Sequence, residues 1–447
     1  MFKRKIYDDL LKWKLGKKDK IFMLKGARQT GKTTIITNFV KENYQNYIYI
    51  DFRKQRELWD CFSGDFDVDK ILMQLSAKIR NVQFIPYETA LIFDEIQDCQ
   101  DARSSLKYFA LDKRYDIYAT GSLLGIKGYS KVPSRGISVG FEEHHEMKPF
   151  DFEEFLWALD IPKSIISHIT DCYNNLQPIL TGIHSEMQKL FHQYICVGGM
   201  PAAVVKFVET KNFNEVYRVQ RDILATYEAD FGVHLDENGK EYINQKEFAR
   251  ILSCYRSIPN QLAKENKKFQ YNLLEKKGRK ADYIDALEWL LDAGIISKCY
   301  NLSITELPLS GNKIDDVFKV YMQDTGLFIS MLEEGTVSDI LNGNLLTYKG
   351  AIYENIVADA FIKNHKELYY FHKDSGLEID FVMRYKGKCT LIEVKSKGGK
   401  AKSLKTILED YNRYHVDSAI KLTSNNVSVH DNVIHLPYYM AFLITQV

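Results

Sequence analysis

The sequence predicts an α/β fold, and three observations carry that prediction. In residues 1–140, short apolar runs alternate with helical patterns, which is typical of a parallel sheet with crossover helices. A glycine-rich segment lies between the first apolar run and the helix that follows it, and an acidic pair follows a later run. Near the carboxyl terminus, two further strand patterns carry acidic side chains. The runs expected to form buried strands in the first part are residues 20–25, 47–51, 91–94 and 116–120.

The composition is that of an ordinary globular protein and sets broad limits on function. The chain has 447 residues, enough for about three domains of roughly 100–200 residues each. Its net charge of +1 means that any nucleic-acid surface must be a local patch. The seven cysteines are scattered without a CxxC pair, which argues against a zinc site and a disulfide framework. There is no secretory signal pattern and no run of about 20 apolar residues, so we expect a cytoplasmic protein without a membrane partner.

The glycine-rich segment reads GARQTGKT and fits the pattern G-x-x-x-x-G-K-[ST] between a strand and a helix. Glycines let backbone N–H groups turn towards phosphate oxygens, and the amino terminus of the helix adds a favourable dipole. We expect Lys32 to reach the β and γ phosphates of ATP, and the Thr33 hydroxyl to bind Mg²⁺. The predicted nucleotide-binding residues of this segment are Gly26, Ala27, Arg28, Gln29, Thr30, Gly31, Lys32, Thr33 and Thr34.

A second motif, LIFDEIQD, ends an apolar strand with an acidic pair. Beside a phosphate site, Asp94 would hold the metal and Glu95 would polarise the attacking water. The alternative is that the pair only caps a helix. The strand ending in TGS puts Ser122 in a position to sense the γ phosphate, although a polar strand end is also common in turns. Arg135 is a candidate arginine finger, with a solvated loop arginine as the equal alternative.

Together these motifs resemble those of prokaryotic AAA-type ATPases of the ASCE division, a resemblance carried by GARQTGKT, LIFDEIQD, YATGS and MKPFDFEEFL. The segment GGMPAAV resembles the Gly-x-Pro signature of the STAND and origin-recognition-like ATPases. In those proteins the lid proline packs against the bound nucleotide, which here points to Gly199 and Pro201. The resemblance implies ATP and Mg²⁺ as cofactors, a P-loop ATPase core at residues 1–148 and a helical lid at 149–235.

Residues 236–340 show helix patterns followed by a pair of strand patterns, which predicts a winged-helix-like domain. A basic cluster within residues 264–280 could grip phosphates. The helix predicted at 281–293 is acidic, however, and therefore a poor reader of the major groove. Nucleic-acid contact and a solvated basic face both remain open for this cluster.

The carboxyl-terminal segment SGLEIDFVMRYKGKCTLIEVK predicts a hairpin that turns at Lys386-Gly387. With that two-residue loop, the numbers of two residues that face each other across the hairpin add up to 773. Asp380 therefore faces Glu393. Glu393 and Lys395 are two residues apart and share a face. Because two carboxylates that face each other repel unless a cation lies between them, we expect a Mg²⁺ site here. Lys395 would stabilise a transition state or position water.

A helix pattern, GAIYENIVADAF, precedes this hairpin and carries Glu354 beside its apolar stripe. A helix glutamate, then an aspartate, then Glu-x-Lys on a hairpin resembles the PD-(D/E)xK restriction-endonuclease-like fold, which here covers residues 341–447. The resemblance implies metal ligands at Glu354, Asp380 and Glu393 and catalytic roles for Asp380, Glu393 and Lys395. The alternatives are simple cross-strand pairing of these charges, and a fold that serves only as a binding scaffold.

The whole pattern predicts an ATP-binding, ATP-hydrolysing AAA-type ATPase that regulates a Mg²⁺-dependent, nuclease-like domain acting on DNA or RNA. One alternative is a signalling or DNA-binding ATPase whose carboxyl-terminal domain only binds. Another is a slow ATPase that acts as an oligomerising scaffold. The expected partners are ATP, DNA or RNA, and further copies of the chain in an ATP-dependent homo-oligomer.

Overall fold

A computed structural model describes residues 2–16, 19–122, 140–235, 241–264, 267–275, 278–344, 348–395 and 402–444. Arg135, the candidate arginine finger, lies outside the described residues. Part of the predicted basic cluster, at residues 265–266 and 276–277, lies outside them as well. So do residues 396–401, which follow the predicted carboxyl-terminal site.

The amino-terminal part contains a five-stranded sheet with the spatial order β2-β3-β4-β1-β5, in which every neighbouring pair is parallel. The four predicted strands are present, and the parallel α/β fold is confirmed. One face of the sheet is covered by the first two helices and the other face by the next two. The strands are β1 (Ile21–Gly26), β2 (Asn46–Asp51), β3 (Thr89–Asp94), β4 (Asp116–Ser122) and β5 (Glu142–Glu146). The helices are α1 (Ile6–Leu15), α2 (Lys32–Asn43), α3 (Val68–Lys78) and α4 (Gln100–Asp112).

The next part of the chain is helical, as predicted. Among the residues that the structure describes, its helices and the amino-terminal sheet belong to separate hydrophobic cores. The helices belong instead to one continuous core with the sheet formed by the carboxyl-terminal half. For example, Phe152 packs against Phe442, and Tyr173 OH donates to Tyr385 OH on that sheet. The helices of this part are α5 (Phe152–Ala158), α6 (Lys163–Asn175), α7 (Thr181–Val197), α8 (Pro201–Thr210) and α9 (Phe213–Asp230).

The middle part contains the predicted acidic helix and the predicted pair of strands. A short antiparallel pair, β6 and β7, precedes them. Strands β8 and β9 pair antiparallel with each other. The strands are β6 (Val233–Leu235), β7 (Glu241–Ile243), β8 (Ile296–Leu302) and β9 (Lys313–Met322). The helices are α10 (Gln245–Leu262), α11 (Lys280–Asp292), α12 (Thr325–Ser330) and α13 (Thr336–Asn342).

The carboxyl-terminal part belongs to an eight-stranded sheet with the order β14-β15-β13-β12-β11-β10-β8-β9. Strands β10, β11 and β12 are antiparallel neighbours, and β13 is parallel to β12. The strands are β10 (Leu368–His372), β11 (Glu378–Tyr385), β12 (Lys388–Val394), β13 (Ala419–Thr423), β14 (Ser428–His430) and β15 (Val433–Pro437). The helices are α14 (Lys349–Lys363), α15 (Lys402–Glu409), α16 (Tyr411–Tyr414) and α17 (Ala441–Ile444).

The eight-stranded sheet crosses the predicted domain boundary at residue 340, because β8 pairs in parallel with β10. The pairing joins Cys299 to Leu368 and Asn301 to Tyr370. The strands predicted to form the wing of a winged helix are therefore continuous with the sheet that carries the carboxyl-terminal hairpin. The winged-helix assignment and the exact domain boundaries stay predictions.

Asn355 fixes α14 to the end of β9 in the interior of this unit. Its side chain accepts a hydrogen bond from Met322 N at 2.9 Å and donates to Met322 O and Thr325 Oγ1. We expect Asn355→Ala to lower the free energy of unfolding by about 2 kcal/mol or more, since buried polar groups lose their partners.

The control for this substitution is Asn342→Ala, which removes one exposed hydrogen bond to Ser338 and should cost about 0.5 kcal/mol or less. Urea denaturation of the two variants and the wild type measures the difference. Equal stabilities of the two variants would contradict the prediction.

Candidate functional site

The predicted phosphate loop connects the end of β1 to the start of α2. Gly31 has φ of 91°, in the left-handed region that favours glycine, and it directly precedes Lys32, the first residue of α2. Thr30 Oγ1 donates to Ala27 O at 2.9 Å inside the loop. Strand β4 pairs with β1 so that Ser122 is the register partner of Gly26. The sequence and the fold thus bring a glycine-rich turn, a helix amino terminus and the predicted sensor residue to one edge of the sheet.

Lys32 lies folded back on this loop and is almost completely buried. Its Nζ donates to Gly26 O at 3.1 Å and to Ala27 O at 2.9 Å. Burial lowers the pKa of Lys32 to about 8, and the negative charges of Glu95 and Asp94 oppose that shift. Because neutral carbonyls are weak partners for an ammonium group, an anion entering the loop would be a better one. The loop and its lysine therefore fit a phosphate.

The carboxylate of Asp94 is held by hydroxyl groups from three elements. Thr33 Oγ1 donates to its two oxygens at 3.1 and 3.0 Å, and Tyr49 OH donates at 2.6 Å. Thr120 also donates to it. Tyr49 comes from β2 and Thr120 from β4, the two strands that flank β3. A threonine hydroxyl and an orientated carboxylate are oxygen donors of the kind that Mg²⁺ prefers, so Thr33 and Asp94 fit a nucleotide-bound metal.

Glu95 follows Asp94 in a left-handed conformation, with φ of 52°, which is unfavourable for a residue with a Cβ. Its carboxylate accepts a hydrogen bond from Gln97 Nε2 at 2.6 Å and lies 3.6 Å from Arg53 Nη2. Arg53 also pairs with Asp98 at 2.9 Å. The side chain predicted to polarise water is therefore anchored between Gln97, which belongs to the same motif, and Arg53, which lies outside it.

Two helices of the helical part, α8 and α9, also contact the phosphate loop. Pro201 is the first residue of α8, and a Cβ added to Gly31 would lie 3.7 Å from Pro201 Cγ. Tyr227 OH donates to Arg28 O at 3.0 Å, and the Arg28 guanidinium pairs with Asp230. The predicted lid proline thus lies beside the loop, and α9 holds the loop backbone.

The carboxyl-terminal hairpin has the predicted register. Phe381 pairs with Ile392 and Tyr385 with Lys388, so opposed positions sum to 773 and Asp380 faces Glu393. The turn residues Lys386 and Gly387 have φ of 47° and 81°, as a two-residue type I′ loop requires. These dihedral angles explain why the turn fixes the register.

The pair formed by Asp380 and Glu393 is only partly neutralised. Asp380 Oδ2 accepts a hydrogen bond from Val394 N at 2.8 Å, and Glu393 Oε1 lies 2.5 Å from Lys395 Nζ. Glu393 Oε2 is buried and has no hydrogen-bond partner in the described part of the chain. Burial and the neighbouring Asp380 raise the pKa of Glu393 to about 7, against the effect of Lys395. Because this oxygen lacks a partner and Glu393 faces a second carboxylate, the pair has the charge and the free ligand atom that a bound cation requires.

In this structure Glu354 is paired with lysines, and its role as a metal ligand stays a prediction. Its carboxylate contacts Lys267, lies 3.8 Å from Lys319 Nζ, and accepts a hydrogen bond from Tyr321 OH at 3.0 Å. Two cations and a hydroxyl already satisfy it. Within the described residues, no group of three or more His, Cys, Asp or Glu side chains is arranged to hold a metal ion.

Two described members of the basic cluster form ion pairs within the chain. Lys267 contacts Glu354, and Lys280 pairs with Asp316. The acidic helix α11 is likewise paired, for example through Glu288 and Lys298 at 2.5 Å. Among the helices that the structure describes, none has the length and apolar character needed to cross a membrane.

Three family models match separate parts of the chain. An AAA domain model matches residues 18–156. A domain of unknown function, DUF8612, matches residues 188–338, and another, DUF4143, matches residues 349–439. Among curated proteins, none matches the chain significantly.

Several solved structures show a distant likeness. The Aeropyrum pernix ORC2 protein, in ADPNP and ADP complexes, has 15% identity, covers 76% of this chain and 92% of its own, and gives a TM-score of 0.36. The Thermotoga maritima RuvB Holliday junction branch migration motor has 13% identity, with coverage of 66% and 90% and a TM-score of 0.30. A Pyrococcus horikoshii STAND protein with a tetratricopeptide repeat sensor has 13% identity, with coverage of 81% and 46% and a TM-score of 0.27.

At TM-scores below 0.5, these likenesses assign no substrate or partner to the chain. The AAA family model covers the strands and the loop described above, and the loop has the geometry that its sequence motif predicts. The chain therefore contains an AAA-type P-loop ATPase domain.

Proposed function

We propose that this protein is an ATP-hydrolysing switch whose nucleotide site regulates a Mg²⁺-dependent, nuclease-like site formed by Asp380, Glu393 and Lys395. The observation that carries the second half of the proposal is the buried, unpartnered Glu393 Oε2 opposite Asp380. A buried carboxylate oxygen without a partner is unfavourable unless a cation or a proton satisfies it.

At the nucleotide site, the residues of the chain act by binding and orienting. Lys32 would leave the loop carbonyls for the β and γ phosphates, while Thr33 and Asp94 hold the metal. Glu95 would orient and polarise the attacking water, and Ser122 would contact the γ phosphate. The bound Mg²⁺ would supply charge neutralisation on the phosphates. Pro201 would contact the nucleotide from the lid.

At the carboxyl-terminal site, Asp380 and Glu393 would hold one Mg²⁺, and Lys395 would stabilise negative charge on a phosphodiester. The bound metal would activate water for hydrolysis. Support comes from the succession of α14, the antiparallel strands β10 to β12, α15 and the parallel strand β13, which agrees with the restriction-endonuclease-like resemblance of the sequence.

The rival proposal is a carboxyl-terminal domain that binds without cleaving. It is favoured by one observation, the pairing of Glu354 with Lys267 and Lys319, because two lysines already neutralise the helix glutamate expected from the resemblance. Such a domain should bind nucleic acid with an affinity that falls as salt concentration rises, since phosphate contacts release counterions. It should show no cleavage under any condition.

We predict that Tyr49→Phe raises the Mg²⁺ concentration needed for half-maximal ATP hydrolysis by about 10-fold, because Asp94 loses a hydroxyl that orients it. Steady-state ATPase assays across Mg²⁺ concentrations measure this change. The matched control is Tyr47→Phe, which removes a hydroxyl from the same strand at the residue that pairs with Ala90. An unchanged Mg²⁺ dependence in Tyr49→Phe would contradict the role given to Tyr49.

We predict that Glu393→Gln lowers Mg²⁺- or Mn²⁺-dependent cleavage of nucleic acid by more than about 100-fold, beyond the usual effect of an outer-shell substitution. The neutral amide cannot replace the carboxylate that, together with Asp380, would hold the metal. DNA and RNA are tested with each ion, with and without ATP. Glu334→Gln, an exposed charge removal, is the control.

The same assay separates the two proposals. Cleavage by the wild type that is lost in both Glu393→Gln and Lys32→Ala supports an ATP-regulated nuclease. Loss in Glu393→Gln alone supports a nuclease that does not depend on the nucleotide site. A wild type that is inert on both substrates with both ions would leave only the binding domain.

A further inference from the structure

The turn formed by residues 198–201 lies between the nucleotide loop and the carboxyl-terminal half. On one side, Pro201 is beside Gly31. On the other, a Cβ at Gly198 would lie 2.2 Å from Asp324 Oδ1 of the carboxyl-terminal half, and a Cβ at Gly199 would lie 2.0 Å from the carbonyl oxygen of Phe150, just before α5. Only glycine backbone fits at these two positions. The turn is thus wedged against the carboxyl-terminal half by its main chain and against the phosphate loop by a side chain.

The Asp324 carboxylate fixes the turn through hydrogen bonds. Gly199 N donates to Asp324 Oδ2 at 2.6 Å, and Leu327 N donates to Asp324 Oδ1 at 3.0 Å. Asp324 therefore caps α12 with one oxygen and binds the turn with the other. It is only 3% exposed, so no solvent competes for either bond.

Lys363, the last residue of α14, neutralises this buried carboxylate. Its Nζ lies 2.7 Å from Asp359 Oδ1 and 3.4 Å from Asp324 Oδ2, and it donates to Tyr194 OH at 2.9 Å. Tyr194 OH donates in turn to Phe150 O at 2.7 Å. All these groups are buried, so separating them would leave charges in the interior without partners.

Helix α14 extends this network to the proposed carboxyl-terminal site. It packs against β12 through the same hydrophobic core that contains Ile392 and Val394, the two neighbours of Glu393. Asp359 on the same helix accepts hydrogen bonds from Thr325 N at 3.1 Å and Thr325 Oγ1 at 3.0 Å. A displacement of the turn would therefore have to move α14 or break a buried ionic network.

We propose that Asp324 and Lys363 are positioning residues that couple the turn at 198–201 to α14, so that a nucleotide contacting Pro201 changes the packing of α14 on the carboxyl-terminal hairpin. This inference rests on the nucleotide site proposed above, but it does not require that the carboxyl-terminal site cleaves anything. The contacts from Pro201 through Asp324 and Lys363 to α14 would carry the effect of the nucleotide to the hairpin.

Amide hydrogen exchange of the full-length protein tests the coupling. In the wild type, saturating Mg-ADP should change the exchange of amides in residues 349–363 by at least about 5-fold, the lower end of typical allosteric couplings. The change should disappear in Asp324→Asn and in Lys363→Met, while fluorescence titration shows that both variants still bind ADP. If Asp324 and Lys363 had only a structural role, their substitution would change the exchange rates equally with and without nucleotide.

Two matched controls accompany these variants. Asp374→Asn removes an exposed aspartate, and Gly182→Ala adds a methyl group where no atom lies within 4 Å. Both should keep the full nucleotide-dependent change. Gly199→Ala, by contrast, should abolish it, because its methyl group would displace the turn.

If Asp324→Asn does not fold, Tyr194→Phe decides the question, since it removes only the hydroxyl that Lys363 contacts and should reduce the change. A wild type that binds ADP without any change in residues 349–363 would overturn the coupling. So would variants that keep the wild-type change. A wild type that binds no nucleotide in the titration would instead refute the proposed nucleotide site, which is a separate result.

Discussion

The hydrogen bond between Gly199 N and the Asp324 carboxylate fixes the turn that brings Pro201 to the phosphate loop. The amino-terminal sheet has its own apolar cores, whereas the helices after it share a core with the carboxyl-terminal sheet. The phosphate loop must therefore be approached by elements that belong to the other half. Asp324 holds the turn that makes this contact. Lys363 supplies the opposite charge that compensates for burying the Asp324 carboxylate.

The nucleotide site follows a similar principle on a smaller scale. Asp94 carries a negative charge close to the loop, and hydroxyls from Thr33, Tyr49 and Thr120 hold it in one orientation. The strand order puts β3 between β2 and β4, so the donors arrive from both sides. An oriented carboxylate costs little reorganisation when a metal binds, which is the general advantage of a preorganised site.

Much of the fold could be predicted from the sequence because its signals are local. Buried parallel strands appear as continuous apolar runs, and the phosphate loop is a contiguous motif between a strand and a helix. The hairpin register can be predicted because Lys386-Gly387 favours a two-residue turn. Once the turn is known, counting residues back along both strands pairs Asp380 with Glu393.

The contacts that the sequence does not reveal join distant segments of the chain. The sequence does not place Tyr49 and Thr120 beside Asp94, because their contacts with it depend on the strand order, which no local pattern encodes. The contact between Glu354 and Lys267 is equally hidden in the sequence, because the two residues lie 87 positions apart in the chain. The pairing of β8 with β10 was missed because a parallel neighbour far along the chain leaves no turn signal.

That parallel pairing also bears on how such a chain can be rearranged during evolution. A segment beginning at residue 341 would contain β10 without β8, and one edge of β10 would expose unpaired N–H and C=O groups. It would also lack the helices α5 to α9 that fill its core. Recombination at that point would therefore separate parts that need each other to fold. Recombination near residue 150 would instead leave both sheets intact. The carboxyl-terminal sheet would then be inherited together with the helices of its core and with the turn at 198–201, which contacts the phosphate loop.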